Sequence, residues 1–360
     1  MNFLFPETFK TNFLVMLILT LFLRILYFGL YSRRVNKIDW LKGLKDKTFN
    51  LKYIWYDKYL FYVPFVWIWI DIICCQILVF KTNNILYWLF LIIFISSRFR
   101  ALQEISHMAI HKTLCESKFL QYLAANMFFQ FILFRPDAYS RRLSHMKHHF
   151  NANNPKLDPN VKDFLKIGFR PGIPNLRFIR SVLYPITFEG IIFNIRAAIR
   201  NTLFQNKNFV TLALRATTVI TYTFMLCYFF NGKVLLLGYL IPVLTIYPLF
   251  LWLSQVVEHR WFVETQELDN KIRECIIGRP TDYQGLIGNM TRHLIFPFGD
   301  SYHLAHSLYP HMHWIGLKEL DKKLKEYIPY YKEYSTNGLL YSNDKSRQSA
   351  LLELKNRLVV

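Results

Sequence analysis

The chain has 360 residues, 53% of them apolar and 19% charged, with 33 Phe, 22 Tyr and 8 Trp. Soluble domains carry about 25% charged residues, so disorder, collagen and coiled coil are excluded as the main architecture. The net charge of +20 would suit a nucleic-acid partner, but no nucleic-acid motif is present and membrane topology accounts for the charge.

The first long apolar run is Asn12 to Tyr31, interrupted by Arg24. It lacks a basic start and a small-residue cleavage site, so it reads as a retained helix rather than a leader. Leu60 to Phe80 is the second run and carries Asp71. The third, from Ile85 to about Ser97, is short of the roughly 20 apolar residues a span needs, which predicts a helix continuing beyond the bilayer. Leu120 to Phe134 is shorter than a span and suits an interfacial or re-entrant helix. Phe209 to Trp252 is broken at Asn231-Gly232-Lys233 and reads as two spans. The fold expected is an all-α membrane protein with about four or five transmembrane helices, capped by a helical region on one side.

Charge sets the orientation. Residues 32–59 hold eight Lys/Arg against three acids, and residues 135–208 hold thirteen against four. Segments 1–10, 81–84 and 231–233 hold one Lys each. The bulky segments are therefore expected on the cytoplasmic side, against anionic lipid. Arg24 and Asp71 fall at similar depth in neighbouring antiparallel spans and are expected to pair. Cys74, Cys75, Cys115, Cys227 and Cys275 form no CxxC, which argues against a disulfide framework or a cysteine zinc site.

All eleven histidines lie between residues 107 and 313. His107 and His111 are four apart, His145, His148 and His149 form HxxHH, and His303 and His306 form HxxH. His259 follows the last span, His311 and His313 follow the HxxH pair, and His293 stands alone. Side chains three or four apart share one helix face, so each cluster can present its imidazoles together. Imidazole suits zinc, copper, iron and nickel. Eight candidate ligands (His107, His111, His145, His148, His149, His259, His303, His306) exceed one tetrahedral site, so two metals are expected. HExxH is absent, and the Glu-x-x-His pattern of bundle di-iron proteins does not dominate. Neutral imidazoles leave metal charge uncompensated, so Glu104, Asp158, Glu258 and Asp300 are candidates to back the ligands. The rival readings are interfacial histidines packing at headgroup level, a metal transporter, or a membrane scaffold. Transporters carry their ligands at mid-membrane.

These features resemble one superfamily. The residues that carry the likeness are Arg100-Ala-Leu-Gln-Glu-Ile-Ser-His107-Met-Ala-Ile-His111, Arg141-Arg-Leu-Ser-His145-Met-Lys-His148-His149, Val257-Glu258-His259 and Tyr302-His303-Leu-Ala-His306-Ser-Leu-Tyr309-Pro310. Asn153-Asn154-Pro155 and Asp158-Pro159-Asn160 add to it. The chain resembles the histidine-box membrane di-iron superfamily of fatty acid desaturases, acyl and alkane hydroxylases and carotenoid-modifying oxygenases. The resemblance covers residues 60–325 and implies a single membrane domain, preceded by an N-terminal span and basic loop (1–59) and followed by a cytoplasmic tail (326–360). It also implies two irons, O2 as co-substrate, and removal of hydrogen from an unactivated C–H bond of a fatty acyl or similar lipid chain. Desaturation is the leading reading, with hydroxylation or oxidative decarboxylation as alternatives. The chain carries neither CxxxxCxxC nor His-Pro-Gly-Gly, so a separate ferredoxin or b-type cytochrome with its reductase is expected to supply electrons, docking on the basic surface of residues 135–208. One departure stands out: Ser307 occupies the place of the third box's last histidine. An iron would then be a ligand short unless His311 or His313 supplies it, and a chain that has lost activity is the other outcome.

Overall fold

The structure is a computed structural model that describes residues 8–46, 60–204 and 208–360. Helix α1 spans Thr8–Val35 and α2 spans Trp40–Asp46. Two long antiparallel helices follow, α3 (Val63–Lys81) and α4 (Ile85–His111). A short helix α5 (Lys118–Ala125) runs into a π turn, Asn126–Gln130. Helices α6 (Ala138–Phe150), α7 (Pro159–Lys166), α8 (Asn175–Val182) and α9 (Phe188–Leu203) come next. Then come α10 (Phe209–Phe229) and the irregular α11 (Gly232–Glu258). The rest comprises α12 (Asn270–Ile277), α13 (Gly285–Leu294), α14 (His303–Leu308), α15 (Trp314–Tyr327) and α16 (Ala350–Leu358). Sheet is limited to a parallel pairing of Thr281–Asp282 with Thr336–Asn337 among the described residues.

Five of these helices are long and apolar enough to cross a membrane: Phe13–Val35, Val63–Lys81, Ile85–His111, Phe209–Phe229 and Gly232–Glu258. Helix α1 turns its large apolar side chains outward, with Ile25 64% and Phe22 58% exposed, as a lipid-facing helix must. The third run does continue past its apolar stretch. Helix α4 has 27 residues, or about 40 Å of rise against about 30 Å of hydrocarbon, so its last turns stand clear of the apolar layer. Asn84 starts it by accepting from the amides of Leu86 (2.9 Å) and Tyr87 (3.4 Å), and Lys112 ends it in the left-handed region.

The two helical hairpins are clasped at one end. Lys233 Nζ, at the α10–α11 turn, donates to the carbonyls of Phe80 (3.1 Å) and Thr82 (2.9 Å) and to Asn83 Oδ1 (3.0 Å) at the α3–α4 turn. The C-terminal ends of α4 and α11 therefore emerge together at the opposite end. The expected Arg24–Asp71 pair is present and hydrogen-bonded, and Arg98 of α4 joins it at 3.6 Å. Three helices thus share one intramembrane ion cluster, as the cost of an unpaired charge in hydrocarbon requires.

Two prolines interrupt α11, and each frees the carbonyl four residues earlier. Gln76 Nε2 donates to Gly238 O (3.0 Å), the carbonyl released by Pro242. Asn194 Nδ2 donates to Leu244 O (3.0 Å), the carbonyl released by Pro248. Inside a bilayer such groups must find protein partners.

The body beyond the spans has its own apolar core, including Phe164, Phe178, Trp261, Leu351 and Leu354. The segment 326–360, expected as a tail, is built into this core. Buried Arg279 ties it down: its guanidinium donates to Ala350 O (3.1 Å), Val257 O (3.2 Å) and His259 O (3.2 Å), and also pairs with Glu353. Four cysteines are buried, as expected, and Cys227 is exposed on α10.

Gln76→Leu is expected to cost about 1–3 kcal/mol by leaving the Gly238 carbonyl unpaired. Adding Pro242→Ala should recover part of that loss by restoring the helical N–H, as read from unfolding in detergent.

Candidate metal centre

The expected ligands arrive from four places. His107 and His111 occupy the last two turns of α4, and His145, His148 and His149 line α6. His259 terminates α11, and His303 and His306 lie on α14. The structure sorts seven of them into two groups, and His149 adjoins the first.

The first group comprises His107, His111, His145 and His306, whose ring nitrogens all lie within 4.8 Å of one another. His145 Nε2 lies 2.7 Å from His107 Nε2, 2.8 Å from His111 Nε2 and 3.0 Å from His149 Nε2. His306 Nε2 is 3.1 Å from His111 Nε2. A neutral imidazole has one N–H, so one proton cannot bridge His145 to three acceptors. Lone pairs facing each other at this range call for a cation among them. Ligand nitrogens held about 2.1 Å from one ion lie roughly 3.0–3.4 Å apart when their bonds open at right to tetrahedral angles. The observed spacings are close to that range, so the donor set fits a metal ion.

The second group is His148, Glu258, His259 and His303. His259 Nε2 stands 3.3 Å from His148 Nε2 and 3.2 Å from His303 Nε2. Glu258 Oε1 lies 3.7 Å from His148 Nε2, and Oε2 lies 3.9 Å from His303 Nδ1. Two helices serve both groups. On α6, the rings of His145 and His148 are 6.1 Å apart, and on α14 those of His303 and His306 are 5.9 Å apart. One helical step therefore separates the two candidate sites.

The four carboxylates play different parts. Asp158 accepts from His148 Nδ1 (3.0 Å) while capping α7 through Asn160 N (2.8 Å), so one side chain starts a helix and aims a ring. Glu104 Oε2 lies 3.3 Å from His107 Nδ1. These two lie behind candidate ligand rings. Glu258 does not stand behind a ligand: it is a member of the second group. Asp300 touches no ligand ring. It accepts from Arg100 (2.6 Å) and from Ser254 Oγ (2.7 Å), and Arg100 also pairs with Glu104. Its place is set by Gly299, whose left-handed φ of 85° lets the chain turn ahead of His303.

Ser307 leaves no gap that His311 or His313 fills. His313 caps α15, accepting from Ile315 N (3.4 Å), and stacks on Tyr31 at 5.0 Å. His311 is exposed and belongs to neither group. Glu258 is the fourth member of the second group. His293 Nδ1 meets Asn289 O (2.7 Å) on α13, away from both.

Burial and the neighbouring imidazoles hold His145, His149, His259 and His306 well below the ordinary histidine range. These rings are neutral at pH 7, the form that binds metal. Burial also opposes charging of His148, yet Asp158 and Glu258 outweigh it and raise its pKa. Asn153 is marked by the sequence as part of the resemblance but not for its role. It sits in the left-handed region at φ 68°, accepts from Phe262 N (2.6 Å) and donates to Val263 O (2.6 Å), so it braces the loop after His259. Asn is among the few residues that adopt this conformation readily, which was the available signal.

Two comparisons bear on this geometry. The chain matches the family described as fatty acid desaturase over residues 82–337. It is 23% identical over 288 residues to dihydrorhizobitoxine desaturase of Bradyrhizobium elkanii, covering 75% of this chain and 78% of that protein. The match takes in the ends of all four ligand-bearing segments, and the chain belongs to the fatty acid desaturase family.

Proposed function

We propose that this protein is a membrane-bound, O2-dependent di-iron desaturase, with one iron held by each histidine group. The observation that carries this reading is the pair of adjacent donor sets at one end of five apolar helices, in a chain of this family. Histidines packing at headgroup level would not face their lone pairs inward, and a transporter would carry its ligands at mid-membrane. A scaffold that had lost activity would not need both sets intact.

His107, His111, His145, His149 and His306 would hold one iron, and His148, His259, His303 and Glu258 the other. When bound, such a pair supplies O2 activation strong enough to remove hydrogen from an unactivated C–H bond. The protein's own residues do the rest. Asp158 and Glu104 keep the Nδ1 atoms of His148 and His107 engaged, so that Nε2 faces inward. Arg100 ties α4 to α11 and to the turn before His303. Trp261, fully buried, packs its ring 5.0 Å from His259 and excludes water there.

The family and the lipid-facing helices support a substrate with a saturated carbon chain, a fatty acyl or similar lipid chain being the first reading. Hydroxylation and oxidative decarboxylation share the same opening hydrogen removal. Positive charge supports placing the ligand end on the cytoplasmic side. A separate ferredoxin or b-type cytochrome would deliver electrons to the basic surface of residues 135–208.

His145→Ala and His259→Ala are each expected to lower bound iron from about two to about one per chain. Full retention of both irons in both variants would remove the assignment. Asp158→Asn should weaken metal binding roughly 10–100-fold while leaving the other site filled, measured by competition with a chelator. Ser307→His should leave iron stoichiometry unchanged, because both donor sets are already complete. Turnover at limiting carrier should fall as salt rises, since screening weakens long-range docking.

A further inference from the structure

The chamber beside the histidine groups is small, about 40 Å³, and its walls mix polar side chains with Ile110, Phe129 and Leu251. Arg135, Arg141, Asn160 and Gln255 line it. The same four residues also line a second cavity of about 200 Å³ between α6, α7, α9 and α11. The two spaces therefore adjoin through these four residues and Leu251. A much larger apolar cavity, about 770 Å³ between α3 and α10, shares no lining residue with either. Met127, Phe128 and Ile132 face that apolar space, while Phe129 and Gln130 face the chamber.

Arg135 and Arg141 make no close ion pair among the described residues, although Glu258 and Glu104 attract Arg141 from farther off and Asp163 also lines the second cavity. The chamber's acids are engaged elsewhere. Glu104 and Asp300 pair with Arg100, and Glu258 belongs to the second histidine group and accepts from Asn160 Nδ2 (3.0 Å). Burial, and after it the like charge of Arg135, hold the Arg141 guanidinium below its ordinary range. Two like charges facing one cavity repel, and an anion between them relieves both. Guanidinium is the side chain that grips a planar carboxylate with two parallel hydrogen bonds.

We infer that Arg135 and Arg141 bind the carboxylate of the substrate, which reaches the histidine groups through the 200 Å³ cavity with its saturated carbons directed at the chamber. This rests on the desaturase reading and narrows it to a substrate with a free anionic end. Drug-sized ligands occupy about 300–1,000 Å³, so these spaces suit a short carboxylic or amino acid better than a long chain. Fixing the charged end sets which carbon faces the metals.

The test uses the full chain, purified in detergent and loaded anaerobically with ferrous iron. Calorimetry measures binding of hexanoate, its neutral counterpart hexanamide, hexadecanoate and inorganic phosphate. Hexanoate should bind about tenfold or more tighter than hexanamide, because only the carboxylate carries the opposite charge and two acceptor oxygens for the guanidinium fork. Arg135→Gln and Arg141→Gln should each weaken hexanoate by about tenfold with iron content unchanged, and Arg141→Lys should recover part of the loss. Preference for hexadecanoate that the same variants abolish would keep the carboxylate seat and make the source a long fatty acid. Phosphate binding tighter than hexanoate would overturn the carboxylate and point to a phosphate headgroup. Equal affinity for hexanoate and hexanamide in the unmodified protein would overturn the inference whether or not the variants fold. Two bound irons without carboxylate selectivity would sink this inference alone, while carboxylate selectivity without iron would sink the desaturase reading alone.

Discussion

Everything in this protein depends on keeping eight imidazoles turned toward one another at the ends of the apolar helices. Their lone pairs repel, and the surrounding fold must supply the restraint until a cation does. Arg100 is the main brace. It is 1% exposed, lies on the same helix as His107 and His111, and reaches Glu104, Ser254 and Asp300 at once. One guanidinium thus joins α4, the last turns of α11 and the turn that presents α14. Its buried charge is tolerable because two carboxylates and a hydroxyl surround it. Removing Arg100 would leave two carboxylates uncompensated beside the histidine groups.

The spans serve that arrangement from a distance. The Lys233 clasp and the Arg24–Asp71–Arg98 cluster register the hairpins against each other. Gln76 and Asn194 repair the two proline breaks in α11. Those breaks and the π turn at Leu236–Leu240 alter the helical phase before Glu258 and His259 emerge. On the far side, α16 and Arg279 hold the backbone around residues 257–261. The ligand loop is therefore pinned from the membrane side by α11 and from the other side by the C-terminal helix.

The same packing divides the interior by polarity. The apolar cavity lies against α3 and α10, while arginines, amides and carboxylates join apolar side chains in the wall next to the histidine groups. A membrane setting and a chamber lined with charged groups are compatible because the histidine groups sit at the helix ends, where the apolar runs stop. The bilayer anchors the scaffold, and the body beyond the spans shapes the chamber.

Much of this was legible in the residues. Run lengths, the Asn231-Gly232-Lys233 break, the Arg24–Asp71 pair and the histidine clusters follow from helix rise and from three- and four-residue spacing, which are local geometry. Those rules reach no further than a few turns. How the ligands divide between two sites, why Glu258 stands among them rather than behind them, and why His313 caps a helix instead of completing a site all depend on contacts between stretches far apart in the chain. Arg135 and Arg141 look in sequence like two more positive charges in a basic segment. Only the packing of α6 against α7, α9 and α11 turns them inward, because a side chain's direction is decided by the neighbours that close around it.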